Sequence, residues 1–205
     1  MENSRMLITK LTELTKTKYK VYIDEEFAFV LYKGELLQYH INEGERISEE
    51  TVSEIFETVL VKRAKLKALH LLNVMDRTEK GLRQKLRENH YPEEVIEKAI
   101  TYVKSYGYIE DERYANQFIQ NRKLKKSRRE LECEMLKKGL SKEVVSRTLE
   151  TQYDKEDEVE SVRRIAEKKG YREDMEDVEK KKIFDYLVRK GFSYNVIRQV
   201  LQISL

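Results

Sequence analysis

A chain of 205 residues with 39% charged and 40% hydrophobic side chains suits one or two compact domains if its apolar residues are patterned. One proline, seven glycines and 13 tyrosines favour long helices with buried aromatic rings and exclude simple disorder. The single cysteine, Cys133, excludes an intrachain disulfide framework. No stretch approaches the ~18 apolar residues of a membrane span, so we expect a cytoplasmic protein.

The charge is unevenly distributed along the chain. Residues 1–60 hold 7 basic and 12 acidic residues, whereas the remainder holds 34 basic and 26 acidic residues. The later part is therefore the part suited to a polyanion or to an acidic protein surface.

The first 46 residues predict a small antiparallel sheet. Runs rich in β-branched and aromatic residues occupy 20–24, 27–32 and 36–41, with turns at 25–26 and 33–35, and 6–14 is a further candidate strand. Because a sheet of so few strands is only marginally stable by itself, we expect it to pack on the next helix. That helix is predicted to begin after Ser48, an N-cap followed by Glu49 and Glu50.

Beyond residue 60 the sequence repeats three times. Adjacent aliphatic pairs recur at 95–96, 144–145 and 196–197, and the positions five, ten and fourteen residues before the second member of each pair are also apolar. Each copy has a joint residue for a left-handed turn: Gly139 and Gly191 suit that role, and His90 departs from it at a cost.

Hydroxyl residues mark where the second helix of a copy begins. Thr78 and Ser127 occupy equivalent places, and Ser127 forms a predicted capping box with Glu130. The third copy has Glu179 there, so we expect its second helix to begin from Asp177.

Each copy is predicted to contain three helices. The predicted bounds are 62–74, 78–89 and 92–106; then 111–125, 128–138 and 141–152; then 156–169, 178–190 and 193–203. The fold class is therefore mainly α, with three tandem three-helix repeats in an elongated, curved array behind a small antiparallel sheet. The predicted divisions are 1–46 for the sheet, 48–108 for a preceding helix and repeat one, 109–153 for repeat two and 154–205 for repeat three.

The run at 107–115, read with these capped helices, resembles the RecX family of bacterial recombination regulators over residues 60–205. The segment before it resembles the strand-rich extension of low-GC Gram-positive members, at 22–24 and 27–29. Glu110, His90 and Gly81 depart from the usual pattern. We expect the motif residues to be mainly structural, with Asp111 capping the first helix of repeat two and Tyr114 and Ala115 packed inward; the full set is Gly107, Tyr108, Asp111, Arg113, Tyr114 and Ala115.

The resemblance implies a function. Members of this family bind the RecA recombinase and its filament on single-stranded DNA, and they limit filament growth, strand exchange and the DNA-damage (SOS) response. The resemblance implies no catalytic group and no cofactor. We expect a monomer that binds bare DNA weakly at most.

The densest candidate contact is a basic stretch without an acid before Glu130. It consists of Arg122, Lys123, Lys125, Lys126, Arg128 and Arg129. Such a patch suits phosphates or an acidic filament groove, and the competing interpretation is a solvated turn. Tyr102, Tyr106 and Tyr108 cluster near one joint, where core packing is favoured over base stacking.

A direct DNA-binding protein built from helix-turn-helix-like modules is the alternative function. No single helix is dense in Arg, Asn and Gln facing one way, which argues against base reading. An enzyme is not expected, because His40, His70 and His90 stand far apart and Cys133 has no nearby histidine. We therefore predict no metal site, no cofactor and no catalytic residues.

Overall fold

The computed structural model describes residues 5–203 and divides the chain into two compact units. Within this range the first unit comprises residues 5–77 and 81–109, and the second comprises residues 78–80 and 110–203.

A four-stranded antiparallel sheet opens the first unit. Its strands are β1 (Arg5–Thr15), β2 (Lys18–Ile23), β3 (Glu26–Tyr32) and β4 (Arg46–Ser48), in the order β3-β2-β1-β4. The strands predicted at 6–14, 20–24 and 27–32 are confirmed. Asp24 and Glu25 form the β2–β3 turn with φ of 47° and 70°, and Asp24 Oδ1 accepts from the amide of Leu7 in β1 at 2.9 Å. This bond to a neighbouring strand helps to hold a turn that lacks the usual glycine.

The prediction of a strand at 36–41 is wrong. Residues of this run form α1 (Lys33–Gln38) instead. The Glu35 carboxylate accepts from the Tyr32 amide at 2.7 Å and also pairs with Arg63, so it fixes the first turn of the helix. Ile41, beyond the helix, is 2% exposed and belongs to the core.

A continuous helical segment follows the sheet. It consists of α2 (Glu49–Glu54), a π-helical stretch (Ile55–Val61) and α3 (Lys62–Val74). Ser48 Oγ accepts from the Thr51 amide at 3.1 Å, as expected for the predicted N-cap. The Phe29 and Phe56 rings meet edge to face at 5.8 Å, so the sheet packs on this segment as predicted.

The three tandem three-helix repeats are confirmed. Repeat one contains α3, α4 (Glu79–Glu88) and α5 (Glu93–Ser105); repeat two contains α6 (Asp111–Gln120), α7 (Arg128–Lys137) and α8 (Lys142–Gln152); repeat three contains α9 (Lys155–Lys168), α10 (Asp177–Lys190) and α11 (Tyr194–Leu201). The predicted end of α6 at 125 is wrong, because turns occupy 121–125.

The second unit contains two separate hydrophobic cores. One gathers buried residues of repeat two, such as Ile119, Leu131 and Val145, and the other gathers residues of repeat three, such as Leu187 and Ile197. Each core therefore collects the apolar positions whose spacing defined the repeat.

Ser127, at the start of α7, binds the end of α10. Its buried Oγ donates to the Lys190 carbonyl at 2.6 Å and accepts from the Glu130 amide at 3.1 Å. Gly191 follows with φ of 88°, and a Cβ there would lie 3.0 Å from the Cβ of Arg129. We call this arrangement the Ser127 contact; it needs a hydroxyl in one copy and a glycine in the next.

The same arrangement recurs within the second unit at Thr78. Thr78 Oγ1 donates to the Lys138 carbonyl at 2.7 Å, and Gly139 follows with φ of 92°. A Cβ on Gly139 would lie 2.7 Å from the Cβ of Lys80. In the repeat register the equivalent position of the third copy is Glu179, but α10 begins three residues earlier, and its N-cap Glu176 forms no side-chain cap. The hydroxyl is therefore specific to the first two copies.

Candidate partner-binding surface

The predicted basic stretch occupies the turn between α6 and α7 and the start of α7. The Arg122 guanidinium lies 4.1 Å from the centroid of the Phe118 ring, a cation–π contact. Lys123 Nζ pairs with Asp157 at 2.8 Å, and both side chains are largely buried. These two basic residues thus hold the turn to its own unit.

Three more members of the stretch also have contacts inside the second unit. Lys126 pairs with Glu134, and Arg128 Nη1 donates to the Leu149 carbonyl at 3.1 Å. Arg129 lies against Gly191, as described above. Lys125 is exposed, and among residues 5–203 no salt bridge engages its ammonium group. Most side chains of the stretch therefore contact their own unit, and the role of the stretch in binding stays a prediction.

Lys125 lines a groove in the second unit that collects cations from distant segments. We call it the basic groove, and its volume is about 530 Å³. Its lining residues are Leu124, Lys125, Arg164, Ile165, Glu167, Lys168, Lys169, Tyr186 and Lys190. Five of these nine are cationic and one is acidic, so the groove is positively charged, with an apolar lining from a leucine, an isoleucine and a tyrosine.

The cations of the basic groove differ in how far they are neutralised. Arg164 Nε donates to Glu160 at 2.6 Å, and Lys190 Nζ pairs with Glu130 at 2.6 Å. The bond to Glu130 raises the pKa of Lys190, which keeps that ammonium charged. Lys169 Nζ lies 4.3 Å from the centroid of the Tyr186 ring.

Three groove cations have no acidic partner among the described residues. Within the described range 5–203, Lys125, Lys168 and Lys169 form no salt bridge. Unneutralised ammonium groups beside apolar side chains suit an acidic protein segment that also carries an apolar side chain.

Sequence reasoning found Lys125 but missed the groove's other cations. Two helices, α7 and α8, separate the turn from Arg164, Lys168 and Lys169, and Lys190 lies on a later helix still. Lys168 and Lys190 stand in last helical turns, where basic residues are ordinary because they complement the helix dipole. Only the fold brings these side chains together.

The motif at 107–115 ends one helix and begins the next. Gly107, with φ of 67°, and Tyr108 donate their amides to the carbonyls of Lys104 and Val103 at 2.9 Å, which closes the end of α5. Asp111 does not cap α6 as expected. The N-cap is Glu110, which forms no side-chain cap.

The carboxylate of Asp111 has a different acceptor role within the second unit. Its Oδ1 accepts from the amide of Glu79 at 2.9 Å. The aspartate therefore satisfies an amide at the start of α4, one of the donors that a helix leaves unpaired. Sequence spacing alone could not reveal this, because the two residues belong to different copies.

The remaining motif residues lie along α6. Ala115 is fully buried, and the half-buried Tyr114 ring stacks on Phe118 with centroids 6.1 Å apart. Arg113 Nη1 lies 3.5 Å from Glu110 Oε2 in an exposed pair. Their contacts serve the packing of repeat two.

The expectation of core packing is wrong for two tyrosines of the first unit. Tyr106 is 63% exposed and Tyr108 is 51% exposed, whereas Tyr102 is half-buried against the core. Both exposed residues follow the last residue of α5, Ser105, and therefore lie outside the buried face of that helix.

Two further searches cover the part of the chain that the structure describes. In residues 5–203, no three His, Cys, Asp or Glu side chains lie close enough together to hold a metal ion. None of the helices in that range is long and apolar enough to cross a membrane.

Comparison with known proteins agrees with this architecture. Two family models match, described as the first three-helix domain of RecX over residues 64–102 and the third three-helix domain of RecX over 156–201. These ranges coincide with repeats one and three.

The relatives match along the whole chain. A regulatory protein RecX from Caldanaerobacter subterraneus subsp. tengcongensis is 35% identical over 97% of this chain and 100% of its own length, and one from Clostridioides difficile is 29% identical over 95% and 94%. A crystal structure of a regulatory protein RecX superposes with a TM-score of 0.65 at 25% identity, covering 97% of this chain and 100% of that one. The RecX from Lactobacillus salivarius gives a TM-score of 0.59 at 25% identity over 70% of this chain and 95% of that one. Full-length identity of this degree, on the same repeats, means that the chain belongs to the RecX family of regulatory proteins.

Proposed function

We propose that this chain is a non-enzymatic, monomeric regulator that binds the RecA recombinase and its filament on single-stranded DNA. In doing so it limits filament growth, strand exchange and the DNA-damage response. The observation that carries the proposal is membership of the RecX family, based on 35% identity over the full length of a RecX relative.

The basic groove is the surface that we assign to this contact. Lys125, Lys168 and Lys169 bring three unneutralised positive charges to one groove, next to the ring of Tyr186. Positive potential steers association with an acidic partner, and a buried apolar anchor then slows dissociation. The basic groove thus replaces the linear basic stretch as the main proposed contact, with Lys125 common to both.

Charge reversal of the groove tests the proposal. We expect the Lys125→Glu, Lys168→Glu, Lys169→Glu variant to need about tenfold more protein to inhibit RecA-catalysed strand exchange, because reversed rim charges repel an acidic partner. Inhibition is measured on a titration of each variant, with circular dichroism to show that the variant is folded.

The matched control reverses three exposed lysines elsewhere in the second unit. Lys137→Glu, Lys142→Glu, Lys181→Glu changes the net charge equally while leaving the groove intact. We expect near-normal inhibition from it. Equal inhibition by the folded groove variant and by the control would remove the groove from the mechanism, and equal loss in both would reduce the effect to net charge.

A further inference from the structure

The exposed tyrosines of the first unit form a continuous set of rings. We call Tyr102, Tyr106 and Tyr108 the tyrosine ladder. The rings of Tyr102 and Tyr106 have centroids 4.9 Å apart, and those of Tyr106 and Tyr108 are stacked at 6.0 Å with 27° between their planes. Tyr106 and Tyr108 are more than half exposed, whereas Tyr102 is half-buried, so the Tyr106 and Tyr108 end of this aromatic surface is presented to a partner or to solvent.

Positive charge borders the ladder. Lys65 Nζ lies 4.9 Å from the centroid of the Tyr102 ring. Lys65 belongs to α3, which carries four cations and no acidic residue over Lys62–Val74. Arg63 pairs with Glu35, so the cation that borders the rings is Lys65. An aromatic surface beside a lysine combines the two groups that recognise single-stranded nucleic acids: rings for the bases and a cation for a phosphate.

The surroundings of the ladder are polar. Thr101, Lys104, Ser105 and Gly107 are exposed beside the rings. A protein-binding hot spot is normally enclosed by further apolar contacts that exclude water. The apolar area here is concentrated in the rings themselves, which favours flat, π-faced ligands over an apolar protein segment.

We propose that the tyrosine ladder binds single-stranded nucleic acid by stacking bases on the exposed rings of Tyr106 and Tyr108, with Lys65 bound to a phosphate. This binding needs no RecA and lies on the first unit, so it goes beyond the regulatory contact assigned to the basic groove. Base stacking on aromatic side chains tolerates any sequence, so we expect little sequence preference.

The absence of tryptophan from the chain gives a direct test. Tyr106→Trp places a single tryptophan on the ladder, and its fluorescence is followed on titration with a thymidine oligonucleotide in the absence of RecA. Stacking predicts saturable quenching. The matched control is Tyr194→Trp, which replaces a tyrosine that is 57% exposed in the second unit and lies 5.6 Å from the Phe184 ring; its emission should not change.

A second probe separates stacking from charge. An abasic oligonucleotide of the same length keeps the phosphates but has no bases, and we expect it to quench Tyr106→Trp at least tenfold less well. Equal quenching by the abasic strand would overturn the proposal in favour of a purely electrostatic contact. Quenching by polyglutamate or by RecA alone, without quenching by the oligonucleotide, would overturn it in favour of a protein surface.

Second-site variants in the Tyr106→Trp protein locate the contact. Tyr108→Ala should weaken oligonucleotide binding about tenfold, which corresponds to one stacked base, whereas Tyr108→Phe keeps the ring and should bind normally. Lys65→Gln should weaken binding and lower its salt dependence. The groove variant at Lys125, Lys168 and Lys169 should retain the quenching, so failure of one proposal is distinguishable from failure of the other.

Discussion

His90 takes the left-handed conformation that glycine provides in the other two repeats. Its φ is 62°, against 92° for Gly139 and 88° for Gly191. A residue with a Cβ pays roughly 1–2 kcal/mol for this conformation. The His90 ring packs edge to face on Phe27 with centroids 6.4 Å apart, a contact that glycine could not make. In the first repeat, therefore, the residue at this joint has a less favourable backbone conformation than glycine would have, but its side chain contacts the sheet.

The position of His90 predicts a loss of stability in acid. Burial first, and then Lys20 and Lys18, lower the pKa of His90 below its ordinary value near 6.5. As the pH falls through 6.5, the unfolded chain therefore binds more protons than the folded chain, and the stability present above that pH is lost. We expect His90→Asn, which tolerates a positive φ, to remove up to about 1 kcal/mol of this pH dependence, because the ring is only half-buried.

Urea unfolding at pH 7.5 and pH 5.5 measures the effect of the His90 change. His70→Gln, at an exposed site on α3, is the control. In this variant the free energy of unfolding should differ between pH 7.5 and pH 5.5 by the same amount as in the wild-type protein. An identical pH dependence in wild-type protein and His90→Asn would show that His90 does not titrate in this window.

Two glycines with the same backbone conformation predict different costs for alanine. Gly170 and Gly191 have φ of 83° and 88°, but a Cβ on Gly170 meets nothing within 4 Å, whereas one on Gly191 would meet the Cβ of Arg129 at 3.0 Å. We expect Gly170→Ala to cost about 1 kcal/mol from φ alone. Gly191→Ala should cost about 2–3 kcal/mol, because a Cβ fixed to a backbone cannot move aside. Thermal unfolding compares them, and equal costs would argue against the close approach.

At the scale of elements, the N-cap serines of α7 and α8 look alike in sequence but differ in their contacts. Ser127 is buried and bonds both the Lys190 carbonyl and the Glu130 amide, whereas Ser141 is exposed and accepts only from the Val144 amide at 3.2 Å. Ser127→Ala should therefore cost about 2 kcal/mol, and Ser141→Ala about 1 kcal/mol or less. Chemical denaturation measures both, and a smaller cost at Ser127 would contradict the structural role of its second bond.

Local signals were sufficient to predict the helices of the repeats. Ser127, Ser141 and Gly191 fix helix ends through their own side chains or backbone, so their positions can be read without knowing the fold. The strand expected at 36–41 failed because a short apolar run does not distinguish strand from helix. In the fold, Glu35 at the start of this helix also pairs with Arg63, a contact between residues remote in sequence that the run itself does not reveal.

The candidate surface was less predictable than the helices. The basic stretch at 122–129 is conspicuous in sequence, yet Lys123 and Lys126 are paired with acids of the fold. The basic groove draws Arg164, Lys169 and Lys190 from later helices, where Lys169 and Lys190 look like ordinary helix-end cations and Arg164 looks like one half of a helical ion pair with Glu160. Charge density along a chain therefore predicts where cations are numerous but not which of them keep an unneutralised charge.

At the scale of the whole molecule, the residue bounds of the sheet segment and of the three repeats stay a prediction. The three repeats offer a test at one register position, which is occupied by Ile96, Val145 and Ile197. Each of these side chains is at most 1% exposed. Alanine at the isoleucines should cost about 2–5 kcal/mol, and somewhat less at the valine. If the division holds, hydrogen exchange should accelerate mainly within 48–108, 109–153 or 154–205, respectively. Acceleration that always spreads over every repeat would contradict it.

The Ser127 contact has a consequence for how such a protein can gain or lose modules during evolution. The second copy carries both halves of the contact, the hydroxyl of Ser127 and the glycine Gly139. A tandem duplication of 109–153 would therefore meet a compatible neighbour on each side, and we expect its product to fold with the same helical content per residue. Duplication of the third copy would instead place Glu176 where a hydroxyl is needed, and circular dichroism should then show a poorly ordered extra copy. We therefore expect copies to be added more readily beside repeat two than beside repeat three.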